Sequence, residues 1–136
     1  MELTEFAARL EEATNAHDVD AIAACFSEDY ENATPCHPAR GFVGVEQVRR
    51  NWSAILGAVP DLVAEVRGRA TSGAEQWLEW EMRGVRRDGH AHLMRGVTVF
   101  TVVGDQATSA RFFLEPVDQE DADADTAVRQ VLGSPR

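Results

Sequence analysis

The stretch MRGVTVFTVVGDQATSARFFLEPV, residues 94–117, decides the fold class of this chain. Apolar and polar side chains alternate along both of its halves, which is the period of a β-strand. VGDQ separates the halves and supplies the Gly–Asp chemistry of a tight hairpin turn. We therefore predict two antiparallel strands, over 91–103 and 106–117, with Met94, Thr98 and Phe112 on one shared face.

Residues 62–93 carry the same period. Two further strands are predicted over 62–71 and 75–87, and the second of them places Leu78, Trp80 and Met82 on one face. The connections TSGAE and RRDGH are short and contain Gly or Asp, as hairpin connections do. Residues 62–117 are therefore expected to form a four-stranded antiparallel meander.

The N-terminal half has mostly helical periodicity. MELTEFAARLEE and VDAIAACF predict two helices, the second capped by Asp18, and GVEQVRRNWSAILGAVP predicts a third with Trp52 on its apolar stripe. Between the second and third helices, SEDYENATP alternates like a strand, with Tyr30, Asn32 and Thr34 on one face. Pro35 ends this strand, and residues 35–43 are predicted to be a loop.

These elements predict an α+β fold in which a curved antiparallel sheet carries three N-terminal helices on its concave face. Such a sheet can leave a pocket between itself and the helices. One domain is expected over residues 1–118. Residues 119–136 are expected to be an acidic C-terminal tail or a short helix.

Composition excludes several classes of function. The net charge of −10 argues against a nucleic-acid partner. All 13 basic residues are arginine, which excludes a catalytic lysine and therefore Schiff-base chemistry. We find no signal peptide and no apolar run of membrane-spanning length, so we expect a cytoplasmic protein without a membrane partner.

Two clusters raise the question of a metal or a thiol nucleophile. His90 and His92 would share one strand face, which suits a metal, but a site needs a third ligand. Cys36 and His37 are neighbours, yet adjacent side chains of an extended loop point apart. We therefore expect neither a metal site nor a cofactor.

Three stretches resemble a known family. NAHDVDAIAACFSEDYEN (15–32), GFVGVEQVRRNW (41–52) and the 94–117 hairpin look like SnoaL-like proteins of the nuclear transport factor 2-like superfamily. The resemblance covers about residues 3–118 and implies the cone-shaped fold of that superfamily. Its members include ketosteroid isomerases, polyketide cyclases, dehydratases, epoxide hydrolases and non-enzymatic binding domains, so the fold does not select a function.

The resemblance can be tested at the catalytic positions of ketosteroid isomerases. Thr34 stands where those enzymes have the aspartate base, Leu10 falls near their oxyanion-hole tyrosine, and Thr98 replaces their protonated aspartate. Threonine is not a base near neutral pH, and leucine cannot donate a hydrogen bond to an oxyanion. The isomerase mechanism is therefore not expected here.

His37 is the candidate catalytic residue, because imidazole titrates near neutral pH and this one lies beside the position of the missing base. The residues expected to contact substrate are Tyr30, Asn32, Thr34, Trp52, Trp80, Met82, Met94, Thr98 and Phe112. This mostly apolar set suits a hydrophobic small molecule with a few oxygens. The leading function is a cofactor-free isomerase, cyclase or dehydratase acting on a polyketide- or steroid-like substrate, and the alternative is a non-catalytic ligand-binding or dimeric interaction domain. A metal-dependent enzyme is the third hypothesis, which metal analysis of the purified protein would test.

The opposite face of the sheet, called here the outer face, carries Leu93, Arg95, Val97 and Val99. Exposed together, Leu93, Val97 and Val99 would form an apolar patch, so we expect a homodimer through this face, as the resemblance also implies. By strand alternation, Glu115 is expected on the outer face as a surface or interface partner of Arg111.

Overall fold

The computed structural model describes residues 3–133. Six strands form one curved sheet in the order β2-β1-β6-β5-β4-β3. In chain order the strands are β1 Phe26–Ala33, β2 Phe42–Val43, β3 Val63–Ser72, β4 Glu75–Val85, β5 Ala91–Val103 and β6 Gln106–Pro116. The helices are α1 Leu3–Asn15, α2 Val19–Ala23, α3 Val45–Ala58 and α4 Ala124–Leu132, and a 3-10 turn spans Pro38–Arg40.

The predicted four-stranded meander is confirmed. Strands β3 to β6 pair with their sequence neighbours in antiparallel register, and each predicted strand end lies within two residues of the observed one. In the β5–β6 hairpin, Thr98 faces Phe112 and Val97 faces Phe113. Alternation along these strands therefore predicted correctly which side chains share a face.

Two details of the sheet differ from the expectation. Strand β1 runs parallel to β6, so the sheet is mixed and not wholly antiparallel. Residues 42–43, predicted as loop, form the edge strand β2, in which Phe42 faces Asn32 and Val43 faces Glu31. Sequence periodicity could predict neither feature. A strand alternates in the same way whether its neighbour is parallel or antiparallel, and a two-residue strand is too short to show alternation.

The first two helices are fixed by polar contacts to backbone groups. The Asp18 carboxylate accepts the Ala21 N–H at 3.0 Å and so caps α2. On α1, the Asn15 side chain accepts the N–H of Ala64 at 2.7 Å and donates to its carbonyl at 2.8 Å. These two bonds tie the end of α1 to β3.

The core lies between α1 and the sheet. The rings of Phe6 and Phe100 meet edge to face, with centroids 5.2 Å apart, and Phe26 packs against Tyr30 at 4.7 Å. Leu78 is fully buried beside them in the same cluster.

The C-terminal segment contains α4, which starts at the Asp123 cap and exposes Val128, Val131 and Leu132. Residues 134–136 of the predicted tail lie outside the described residues. Within residues 3–133, no helix is long and apolar enough to cross a membrane.

Candidate functional site

A cavity of about 400 Å³ lies among α3, β1 and the ends of β4, β5 and β6. Its aromatic lining consists of Phe26, Tyr30, Phe42, Trp52 and Phe112. Its aliphatic and thioether lining consists of Val48, Ile55, Met82, Met94 and Leu114. Both the volume and the apolar wall are typical of a site for a small hydrophobic molecule.

Seven of the nine residues expected to contact substrate line this cavity, and those on strands lie on the faces that the sequence pattern predicted. They are Tyr30, Asn32, Thr34, Trp52, Met82, Met94 and Phe112. The other two, Trp80 and Thr98, lie deeper, beside an inner pocket of about 20 Å³. The buried Trp80 Nε1–H donates to Thr98 Oγ1 at 2.8 Å, so each of these polar groups satisfies the other and neither faces the large cavity.

Asn32 presents an amide whose orientation is set by Tyr30. The Tyr30 hydroxyl donates to Asn32 Oδ1 at 2.6 Å. Burial raises the pKa of Tyr30, so the phenol keeps the proton that it donates. The Asn32 oxygen is thereby occupied, and within residues 3–133 its Nδ2 group makes no hydrogen bond.

Asn51 on α3 is oriented by a chain of two hydrogen bonds. Arg50, which can only donate, binds Gln47 Oε1 at 2.6 Å, so the Gln47 amide nitrogen is the group that points along the helix. That nitrogen donates to Asn51 Oδ1 at 2.7 Å. Asn51 therefore also keeps its NH₂ group available where it lines the cavity.

His37 is not part of the cavity lining. Its Nε2 is hydrogen-bonded to Oε1 of Glu115, and Arg40 Nη1 lies 3.6 Å from the other oxygen of that carboxylate. Glu115 and Arg40 do line the cavity. The candidate base of the sequence analysis thus acts in the structure as the partner of a carboxylate at the cavity wall.

The expected Glu115–Arg111 pair is wrong. Arg111 instead binds Glu75 at 3.1 Å and lies over the Trp77 ring. Glu115 precedes the last residue of β6, next to the 35–41 loop, where a side chain can reach a neighbouring segment. Strand alternation alone does not report such contacts at a strand end.

His92 lines the cavity although it was not among the candidate site residues predicted from the sequence. It shares the face of Met94 on β5 and lines the cavity, and among the described residues it has no hydrogen bond or ion pair. Burial, and then the positive charge of Arg86, hold the pKa of His92 below its ordinary value. The imidazole is therefore neutral at pH 7 and able to accept a proton.

The H-x-H pair is divided between two environments. His90 lies at the exposed hairpin end, where its Nδ1 is 3.1 Å from Asp88, whereas His92 faces the cavity. Within residues 3–133, no group of three or more histidine, cysteine, aspartate or glutamate side chains is placed to hold a metal ion.

The comparisons with known proteins agree on the fold. The SnoaL-like domain family matches residues 7–110. A search of curated proteins finds no match. Among solved structures, an uncharacterized cystatin-fold protein from Novosphingobium aromaticivorans is 25% identical, with a TM-score of 0.68 over 83% of this chain and 98% of that one.

Two further structures are similar at lower sequence identity. A protein with a ketosteroid isomerase-like fold from Catenulispora acidiphila, in complex with trimethylamine, is 15% identical, with a TM-score of 0.66 over 79% of this chain and 82% of that one. A protein from a Jannaschia species, named for its likeness to SnoaL-like polyketide cyclases, is 18% identical, with a TM-score of 0.68 over 98% and 92% of the two chains. At these identities the likeness establishes the fold alone.

Proposed function

Because the chain belongs to the SnoaL-like domain family, we propose that it binds a hydrophobic, polyketide- or steroid-like ring compound in the cavity and moves a proton on it without a cofactor. Isomerisation, aldol cyclisation and dehydration all use such a step. The observation that carries the proposal is the His92 imidazole, which has no hydrogen-bond partner among residues 3–133, on the wall of an apolar cavity of about 400 Å³. The neutral state of His92 suits it to the role of base.

The proposed step balances within the substrate and His92. The C–H bond next to a ring carbonyl breaks, and the proton moves to an imidazole nitrogen. The electron pair of that bond forms a C=C bond, and the carbonyl oxygen takes the negative charge as an enolate. Return of the proton to another carbon gives an isomer, whereas attack of the enolate carbon on a second carbonyl gives a cyclised product.

Deuterium exchange of 2-tetralone tests this function. The ketone is small enough for the cavity, and its C1 protons are acidic. In D₂O, proton NMR should show C1 exchange at least about tenfold faster with the protein than with an equal concentration of free imidazole, because bound reactants are held in place. Exchange no faster than with imidazole would contradict catalysis, and failure of 2-tetralone to bind would contradict the proposal as a whole.

A non-catalytic binding domain is the second candidate. It is favoured by the three positions where isomerases have catalytic groups: Leu10 belongs to the core, Thr34 has no acid–base function, and the Thr98 hydroxyl accepts the Trp80 N–H. Binding of 2-tetralone without accelerated exchange would support this candidate.

We also propose a homodimer formed through the outer face. This face carries the side chains of Glu65, Arg67, Glu75, Glu79, Glu81, Arg83, Arg95 and Arg111, alternating with the buried inner ones. These four positive and four negative charges cancel and leave Glu31 of β1 as one further negative charge on the face, whereas the whole chain has a net charge of −10. A second copy can therefore approach this face with little charge repulsion, although the whole molecule is acidic.

Contacts on the outer face also support a second copy of the chain as the partner. Glu81 binds three arginines, with Arg95 Nε at 3.0 Å and with Arg67 Nη1 and Arg83 Nη1 each at 3.1 Å, and these hold its pKa below the usual range. The Glu81 carboxylate and its arginines are thus already paired within one chain. Trp77 and Phe113 remain 40% and 39% exposed beside it, as apolar surface for a second copy to cover.

Phe113→Arg should prevent dimer formation, because it places a charge where the apolar surface of the two copies meets. Light scattering coupled to size exclusion should give twice the chain mass of 15.0 kDa for the wild type and the chain mass itself for the variant. Val131→Arg, at an 86% exposed position of α4, serves as the control and should remain dimeric. A wild-type protein of single-chain mass would rule the dimer out.

For the cellular location we propose the cytoplasm. Cys25 is buried and Cys36 exposed, and both are free thiols, which supports a reducing compartment.

A further inference from the structure

We propose that Asn32 and Asn51 select the ligand, by donating hydrogen bonds from their NH₂ groups to an oxygen that only accepts, such as a ketone or enolate oxygen. The inference rests on the proposed function, since it concerns the same cavity. It goes further by assigning the polar end of the ligand and the two residues that recognise it.

Asn32 and Asn51 both have an amide oxygen that is already used within the protein. Both asparagines line the cavity, and in both the amide oxygen is occupied by a donor from the protein: the Tyr30 hydroxyl for Asn32 and the Gln47 amide for Asn51. Each amide oxygen thus already accepts from one protein donor, whereas both N–H donors of each amide remain unused. Within residues 3–133, neither of these NH₂ groups has an acceptor.

The orientation of Asn51 follows from a donor that cannot be reversed, and that of Asn32 from the direction of the Tyr30 hydrogen bond. Arg50 has no acceptor atom, so its bond fixes Gln47, and Gln47 in turn fixes Asn51. Tyr30 is buried and stays protonated, so its hydroxyl has a proton to give to Asn32. Each asparagine is thus held as a donor by a protein partner, on a different wall: β1 for Asn32 and α3 for Asn51.

The charged side chains of the cavity wall also favour a ligand oxygen that accepts hydrogen bonds. The Glu115 carboxylate is already engaged by His37 and Arg40. Arg40 adds further donors and no acceptor. Apart from the His92 imidazole and the Thr34 hydroxyl, the polar side chains of the cavity wall therefore offer mainly donors, and a ligand hydroxyl at the asparagine end would leave its proton with few partners. A carbonyl oxygen has no such proton and can accept from both asparagines.

The same two donors would stabilise the charge that the proposed proton transfer creates. When a proton leaves the carbon next to a carbonyl, the negative charge collects on the carbonyl oxygen. Donors held in place beside that oxygen bind the enolate more strongly than the ketone, because hydrogen bonds to charged groups are stronger. Asn32 and Asn51 would thus take the place that the resemblance gives to Leu10 and Thr98.

A matched pair of ligands tests the inference through binding alone. 2-Tetralone and tetralin share the bicyclic skeleton, but only the ketone has an acceptor oxygen. Hydrophobic transfer favours burial of tetralin, so tighter binding of 2-tetralone requires hydrogen bonds from the protein. We expect the wild type to bind 2-tetralone at least about threefold more tightly than tetralin, as measured by calorimetry or by quenching of Trp52 fluorescence.

Asn32→Asp and Asn51→Asp replace the donor NH₂ with an acceptor oxygen of the same shape. Each should weaken 2-tetralone binding about tenfold or more, because two acceptors then face each other, and should change the tetralin Kd by less than about twofold. Unchanged tetralin binding shows that the cavity is still folded. Ser53→Asp adds the same charge at an exposed position of α3 and should leave both Kd values as in the wild type.

The outcomes separate this inference from the proposed function. Equal or tighter binding of tetralin by the wild type, or unchanged 2-tetralone affinity in both asparagine variants, would overturn the donor assignment while leaving a binding cavity. Absence of binding of either compound to the wild type would remove the proposed function, and this inference with it. Slow C1 exchange in the Asp variants, beyond their loss of affinity, would further support enolate recognition.

Discussion

Replacing His92 with glutamine is expected to slow C1 exchange of bound 2-tetralone by about 10²–10⁴-fold, the usual contribution of a positioned general base. Glutamine keeps a polar side chain of similar reach, but it cannot accept a proton at neutral pH. Affinity for 2-tetralone should change little, since the asparagines hold the ketone oxygen. A variant that binds normally and exchanges slowly would therefore identify His92 as the base.

The other histidines supply the controls. His90→Gln, at an exposed site in the connection just before β5, should leave the exchange rate unchanged. His37→Gln removes the Glu115 partner and should slow exchange by less than about tenfold, because the imidazole does not line the cavity. A larger loss for His37→Gln than for His92→Gln would transfer the role of base to the His37–Glu115 pair.

The pH dependence of exchange follows from the lowered pKa of His92. A base works in its deprotonated form, so the rate should fall as pH drops through the pKa of that group. Because burial and Arg86 lower this pKa, the fall should lie below the ordinary histidine value of about 6.5. A rate that already halves above pH 6.5 would point to a different base.

Gly96→Ala is expected to cost about 2–6 kcal/mol of unfolding free energy. Gly96 has φ +148°, and an added Cβ would lie 2.0 Å from the Phe113 carbonyl oxygen and 2.8 Å from Leu114 Cα. Backbone strain at such a φ costs about 1–3 kcal/mol, and forcing the strands apart adds a similar amount. Urea unfolding followed by circular dichroism should show the lower midpoint.

Gly57→Ala is the matched control for that variant. Gly57 lies inside α3 with no atom within 4 Å of an added Cβ. Alanine there should stabilise the protein by about 0.5–1 kcal/mol, because it lowers the entropy of the unfolded chain and favours the helix. A loss for Gly96→Ala below about 1 kcal/mol would show that β5 and β6 can separate at this point without penalty.

Most of the fold could be predicted from the sequence because its strands are long and regularly patterned. Alternation placed Met82, Met94 and Phe112 on one face, and the cavity wall is largely that face. The direction of β1 relative to β6 could not be predicted, because parallel and antiparallel strands have the same alternation of side chains.

The chemistry of the site was harder to predict than its walls. The 35–41 loop carries His37 to Glu115, a contact between residues 78 positions apart that no local pattern encodes. Alternation predicted that His92 shares the face of Met94. It could not predict that His92 has no hydrogen bond or ion pair among residues 3–133. The fixed orientation of Asn51 depends on side-chain bonds to Gln47 and Arg50 and is likewise invisible in the periodicity.

The parallel pairing of β1 with β6 has a consequence for the order in which the chain folds. The hairpins of the meander join neighbouring segments, whereas Asn32 pairs with Ala110 across most of the sequence. Local pairings close small loops and form quickly, and distant ones must wait for the chain ends to meet. We expect β1, with Tyr30 and Asn32, to join the sheet after the meander. The wall that recognises the ligand would then be the last part of the cavity to be built.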